Sequence, residues 1–210
     1  MNMQFRTPVT LAISLVTFLT GCGTATLHEA WDSDLETRAE QTVPDNTTLS
    51  SHCAEIEENW DPEWTEFEMQ VLELTNQRRA EGADCNTKGV FPPAGPLTWN
   101  RQLACAARAH SRDMAERDYV AHNSPEGTTP ADRTENTGYD YLTVGENIAA
   151  GQWSPEMAVE GWMGSDGHCA NLMRASYKEL GVGYAQNPDT TYSFYWTQVF
   201  GNPFPTSNAF

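Results

Sequence analysis

The sequence predicts an α+β domain in which a small, mainly antiparallel sheet carries helices on its faces. Three observations lead there. Three positions carry the cap-then-proline signature of a helix start: Asp61 with Pro62, Thr129 with Pro130, and Ser154 with Pro155. Near the end, residues 180–184 and 194–200 are short runs rich in aromatic and β-branched residues, separated by the turn formers Asn187, Pro188 and Asp189, which reads as a hairpin. Finally, composition shifts near Trp60, leaving about 150 residues with tryptophans, aliphatics and glycine punctuation, enough for one domain with its own core.

Taken in order, the chain opens on Arg6, an apolar segment over 9–19, and then Leu19, Thr20, Gly21 and Cys22. This pattern resembles a bacterial lipoprotein signal. Its apolar run is too short to span a bilayer, and small residues before a cysteine suit cleavage there. The expectation is a signal peptide over 1–21 and lipid on Cys22, with an ordinary secretory leader as the alternative. Either exports the protein, to the outer membrane or cell surface in the lipoprotein case. Residues 22–59 are acidic and polar and read as a flexible tether. The domain is expected over 60–204, with a tail over 205–210.

The first helix should run from the Asp61 cap to Gly82, burying Trp64, Phe67, Val71 and Leu74 as one stripe. A second should start at the Asn100 cap and run through Leu103, Ala107, His110 and Met114 to about Arg117. His110 lies on that apolar stripe and reads as a buried structural histidine with one hydrogen bond. The Ser154 start leads into Met157, Ala158 and Trp162, and residues 145–149 supply a third strand.

The formal net charge of −17 excludes nucleic acid as a partner and matches an anionic membrane surface poorly. Membrane contact is therefore expected through the lipid on Cys22, and the domain is expected to be a monomer. In an exported protein, the remaining cysteines Cys53, Cys85, Cys105 and Cys169 form an even set that implies two disulfides.

Three ionisable residues stand in loop-like settings: His122 in AHNSPEGTTP, Glu146 in VGENIAAG and His168 in GSDGHCANLM. Glu146 heads an apolar run with no cation beside it, so a partner has to come from elsewhere in the fold. Convergence of the three on one cavity is the simplest arrangement.

The segments HSRDMAERDYVAHNSPEG, GENIAAG, EGWMGSDGHCANLM, ELGVGYA and YWTQVFG, in this order and spacing, resemble the bacterial branch of the CAP superfamily, or SCP domain, which includes cysteine-rich secretory, antigen 5 and pathogenesis-related proteins. The resemblance implies an α-β-α sandwich with a central cleft lined by histidines and acids. His122 and Glu146 match the family's histidine and the glutamate of its GEN motif. The eukaryotic GHYTQ motif persists only as Tyr195, Trp196, Thr197 and Gln198, so His168 is the candidate for the missing imidazole. The cleft set is then His122, Glu146, His168, Tyr195 and Gln198. The family's second acid is replaced by Ser165, with Asp166 and Glu179 as substitutes. The expected disulfides tie Cys85 to Cys169 at the cleft and Cys53 to Cys105 at the end of the tether, although sequence does not rank the three connectivities.

Three chemistries compete. Two imidazoles, His122 and His168, with Glu146 would make an open zinc site, yet no dense ligand motif supports a tightly held metal, so weak zinc at most is expected and no cofactor is required. A hydrolase would use Ser165, His168 and Glu146, but Ser165 lacks the first glycine of a nucleophile elbow. A binding module would hold an apolar ligand such as a lipid or sterol, or an envelope partner, with Trp153, Trp162, Tyr195 and Trp196 lining a groove. The binding module is the reading adopted. Glu146 is expected to pair with His122 or His168 and to raise that imidazole's pKa. Substituting Cys22→Ser should move the protein from the membrane to the soluble fraction; retention in membranes washed with high salt would show that the anchor lies elsewhere.

Overall fold

The computed structural model describes residues 49–205. Cys22, the leader, most of the expected tether and nearly all of the tail lie outside the described residues. The elements in order are α1 (Ser51–Glu58), α2 (Pro62–Glu81), β1 (Ala83–Asp84), a 3₁₀ turn (Asn86–Lys88), β2 (Val90–Phe91), β3 (Thr98–Trp99), α3 (Arg101–Arg117), α4 (Pro130–Asn136), β4 (Tyr141–Ala150), α5 (Pro155–Met163), α6 (Asp166–Leu172), β5 (Glu179–Gln186) and β6 (Phe194–Pro203).

The predicted helix starts all carry their caps. Asp61 accepts from the Glu63 amide, Asn100 from the Gln102 and Leu103 amides, and Ser154 from the Met157 amide. Thr129 forms a reciprocal capping box with Asp132. Each cap satisfies amides that the helix itself leaves unbonded.

Helix α1 was not expected. Within the segment read as a flexible tether, Ser50 caps a two-turn helix that buries Cys53 and Ile56, and the Cys53–Cys105 disulfide fastens it to α3. Arg101 of α3 also pairs with Glu57. Two apolar residues among acids carry too little periodicity to announce a helix; the covalent tie and the burial against α3 decide it. The second disulfide joins Cys85 to Cys169.

The main sheet has the order β3-β5-β6-β4. Strands β5 and β6 form the predicted antiparallel hairpin, β4 pairs antiparallel with β6, and the two-residue β3 adds one parallel contact to β5. Helix α3 covers one face, where Leu103, Ala107 and Met114 meet Val199, Ala185 and Tyr195. Helices α2, α5 and α6 cover the other with Val71, Ala158, Trp162 and Leu172 against Val182, Trp196 and Phe200. The result is an α-β-α sandwich.

The deepest stripe of α2 is not the predicted one. Glu68, Val71, Thr75 and Arg79 are the buried residues, while Trp64, Phe67 and Leu74 are only partly covered. Polar side chains take these positions because each finds partners: Arg79, for example, donates to the carbonyls of Gly95, Leu172, Arg174 and Tyr177. Those bonds hold the end of α6 and the segment that connects it to β5.

Helix α3 lies directly on β5 because two positions there have no side chain. A Cβ on Gly181 would stand 2.0 Å from the Ala104 amide nitrogen, and one on Gly183 would stand 2.4 Å from the Ala107 carbonyl carbon. Gly183→Ala should therefore cost roughly 1 to 3 kcal/mol or prevent folding, because backbone has to give way. Gly95→Ala, where a Cβ meets nothing within 4 Å, should leave stability nearly unchanged. Equal urea midpoints for the two variants would show that α3 does not rest on that glycine.

Candidate functional site

Strand alternation sends Glu146 and Asn147 to opposite faces of β4. Glu146 points toward α3, its side chain only 2% exposed. Its Oε1 lies 2.7 Å from His122 Nδ1, and its Oε2 accepts from Arg133 Nη2 at 2.8 Å. His110 Nε2 is 4.0 Å from Oε1. The carboxylate is thus enclosed by an imidazole from a loop, a guanidinium from α4 and a second imidazole from α3.

Arg133 does more than balance charge. It also donates to the carbonyls of His122 and Thr128, so one guanidinium holds both the acid and the loop that presents His122. His110 is fully buried, and its Nε2 lies 2.9 Å from the Ala121 carbonyl oxygen. A carbonyl only accepts, so Nε2 carries the proton and Nδ1 the lone pair. Burial drives this imidazole's pKa down to about 4; Glu146 opposes that shift and Arg133 adds to it.

The other side of the strand is tied by amides. Asn147 Nδ2 donates to the His168 carbonyl and to Gln198 Oε1, Asn171 Nδ2 donates to Asn147 Oδ1 and to the Glu146 carbonyl, and Gln198 Nε2 donates to Thr75 Oγ1. The network staples α6 to the edge of the sheet. Gly145 permits it, because a Cβ there would stand 2.2 Å from the Tyr177 hydroxyl. His168 sits on α6, not in a loop, and the Cys85–Cys169 disulfide anchors its neighbour. Its pKa is lowered by burial and then by the charge of His122 nearby, opposite to the rise expected from a Glu146 pair. Among the described hydrogen bonds, Glu146 pairs with His122 and Arg133, not with His168.

The remaining candidates separate. Gln198 is fully buried on the α2 face. Tyr195 is fully buried on the α3 face, its hydroxyl donating to Asp118 Oδ1 at 2.9 Å. Neither lines an open cleft, and adjacent strand parity explains why they cannot share one. Ser165 occupies the cap position of α6, and its side chain makes no capping bond. Asp166 instead accepts from the Thr87 amide and hydroxyl and from Asn86, while Glu179 accepts from Tyr139, so neither replaces the second acid beside Glu146. Trp162, Tyr195 and Trp196 are core residues and only Trp153 of the expected aromatic groove is exposed. Among the described residues there is no group of three or more His, Cys, Asp or Glu side chains placed to hold a metal ion.

Two residues of the site were missed as functional. His110 reads as structural because it follows an apolar stripe, and nothing in the local sequence around Arg133, ADRTEN, marks it as functional. The available signal was the capping box, which fixes the orientation of the short helix and hence of Arg133, its basic residue. Between α3 and the 122–129 loop lies an open cleft of about 290 Å³ bordered by His110, Asp113, Arg117, Glu126 and Arg133. Arg117 pairs with both Asp113 and Glu126, and Arg133 with Glu146, so every charged group there has an ion-pair partner, with one carboxylate in excess.

The pKa of His110 makes a stability prediction. Its folded value of about 4 lies below the ordinary 6.5, so the unfolded chain binds the proton first. The contribution is fully present above pH 6.5 and is lost as pH falls toward 4, by roughly 3 kcal/mol at the limit. His110→Gln should flatten this part of the acid limb in urea denaturation series run from neutral pH to about pH 4. An unchanged slope would mean that His110 does not titrate differently on folding.

A model of the cysteine-rich secretory protein family, CAP, matches residues 72–200. The Bacillus subtilis protein YkwD is 33% identical over 171 residues, covering 81% of this chain and 58% of its own length. The Bacillus subtilis membrane protein YlbC is 35% identical over 136 residues, covering 62% and 36%. The chain therefore spans less than two thirds of the length of these relatives. Among solved structures, an extracellular SCP-domain protein of Bacillus anthracis is 30% identical with a TM-score of 0.55, covering 68% of this chain and 44% of that one. An outer surface protein of Borrelia burgdorferi, 18% identical over 64% of this chain and 94% of that one, has a TM-score of 0.52 and shares the fold. Family model, sequence relatives and sandwich architecture agree: the chain belongs to the CAP, or cysteine-rich secretory protein, family.

Proposed function

We propose that the protein is an extracytoplasmic binding module, held to the membrane by lipid on Cys22, whose His122–Glu146–Arg133 site and adjoining cleft recognise a polar partner in the cell envelope. The observation that carries this reading is the occupancy of Glu146. Both carboxylate oxygens are engaged, one by His122 and one by Arg133, so the acid organises a surface and is not poised beneath a catalytic base. The hydrolase alternative needs the side chains of Ser165, His168 and Glu146 in line, and the described hydrogen bonds of the Glu146 carboxylate go to His122 and Arg133 instead. Of the apolar ligand and the envelope partner expected, an envelope partner of polar chemistry fits better: the cleft is bordered by charged side chains, and three of the four aromatics that would receive an apolar ligand are core residues. An exported site agrees with two disulfides and with the extracellular Bacillus anthracis relative.

A second, weaker binding mode rests on the nearness of His122 and His168. His122 keeps its Nε2 unused by Glu146 and is half exposed, and together the two imidazoles offer zinc two nitrogen ligands without requiring catalysis. Co-sedimentation of the full chain with isolated bacterial cell-wall sacculi tests the main reading. The protein should be retained, and His122→Ala, an exposed change, should weaken retention by roughly tenfold or less as one charge-assisted bond is lost. Passage of the unaltered protein into the supernatant, or release of new amines from the sacculi, would defeat it.

A further inference from the structure

We infer that the cleft between α3 and the 122–129 loop takes a hydroxyl group of an uncharged saccharide, seated between the lone pair of His110 Nδ1 and the N–H of Arg133 Nε. The inference rests on the binding reading above and names the ligand class. Two buried polar atoms at this cleft have no hydrogen-bond partner: His110 Nδ1 and Arg133 Nε. Their side chains are 0% and 10% exposed, and both residues border the same cleft. Leaving such groups unpaired is costly, so two of them from residues that border one cleft point to a ligand that pairs both.

Their chemistry is complementary. Because His110 Nε2–H faces the Ala121 carbonyl, Nδ1 is an acceptor, whereas Arg133 Nε is a donor, its two terminal nitrogens being used by Glu146, His122 and Thr128. A hydroxyl meets both demands at once, accepting from Arg133 and donating to His110. A carboxylate or phosphate would satisfy Arg133 but leave the imidazole lone pair facing another acceptor. A metal ion would satisfy the lone pair but meet the guanidinium charge. The other charges of the cleft are already matched, Arg117 with Asp113 and Glu126, so an ionic ligand would have to break existing pairs. The one carboxylate in excess further disfavours an anionic ligand, and Thr128 on the rim adds a further hydroxyl of the kind that reads sugar rings.

The test uses the full chain labelled with ¹⁵N at histidine and the neutral disaccharide N,N′-diacetylchitobiose as probe. Saturable binding by calorimetry, together with movement of the His110 Nδ1 signal and not of its Nε2 signal, is the expected result. His110→Phe, which keeps an aromatic ring but removes both the Nδ1 lone pair and the Nε2–H bond to Ala121, should weaken binding by roughly tenfold, the equivalent of one hydrogen bond to the ligand. Because the signal is read in the unaltered protein, the outcome holds even if the variant does not fold. Movement of the signal by inorganic phosphate or zinc in place of the disaccharide, or no response to the disaccharide at millimolar concentration, overturns the inference. If sacculus retention persists while the disaccharide fails, the inference falls and the wider reading stands; if the disaccharide binds without sacculus retention, the saccharide site stands and only the cell-wall partner of the wider reading falls.

Discussion

Glu68 is the point on which the sandwich turns. Its carboxylate is fully buried, and four donors from three parts of the chain converge on it: the Trp60 indole at 2.8 Å, the Tyr184 amide at 3.1 Å, and Arg108 Nε and Nη2 at 2.9 and 2.5 Å. One side chain on α2 thereby fixes the segment before that helix, helix α3 on the opposite face, and strand β5 between them. Burial pushes its pKa up to about 7, with Arg108 the main opposing influence. Arg108 is held in turn by the faces of Trp60 and Trp99, with its central carbon 5.3 and 5.9 Å from the ring centroids. A buried pair of this kind contributes less through its attraction than through the penalty for any arrangement that leaves one charge alone, and so it specifies the mutual placement of α2 and α3.

The same device recurs at Glu146, with one difference that matters for function. There too a carboxylate in a closed setting is matched by an arginine from a helix. At Glu68 every donor belongs to the core and the group is sealed. At Glu146 one partner, His122, is half exposed, and the guanidinium that completes the set keeps an unbonded N–H beside the cleft. Structural and functional uses of an acid–arginine pair thus differ here by whether the surrounding shell is complete. Asn147 on the opposite face ties the strand to α6 and β6 while Glu146 meets His122 and Arg133, so the site is held by the sheet edge as well as by loops.

Much of the architecture was legible because the signals are local. Asp61, Asn100, Thr129 and Ser154 each bond an amide two or three residues away, so a helix start is written in a few consecutive letters. The turn formers between β5 and β6 act over an equally short range, and the aromatic and β-branched runs on either side of them identify the strands without reference to the rest of the fold. Local reading failed where the decisive partner was distant. Helix α1 follows from a disulfide across 52 residues, and the polar stripe of α2 from partners such as Arg108, 40 residues on.

The site divides along the same line. By itself the sequence determined that the domain is a CAP sandwich of helices around a small sheet, and that Glu146 needs a partner because an acid entering an apolar strand has to be matched. The tertiary structure alone decided which partner. His122 and Arg133 reach the two carboxylate oxygens across 24 and 13 residues, and His110 stands beside them on a helix whose pattern reads as plain core. It also decided that Tyr195 and Gln198 are scaffold, because neighbouring parities on β6 point to opposite faces and both are closed. The physical reason is range: caps, turns and periodicity act within a few residues, whereas the electrostatics of a buried acid is settled by whichever elements the packing of the sheet brings within about 4 Å of it.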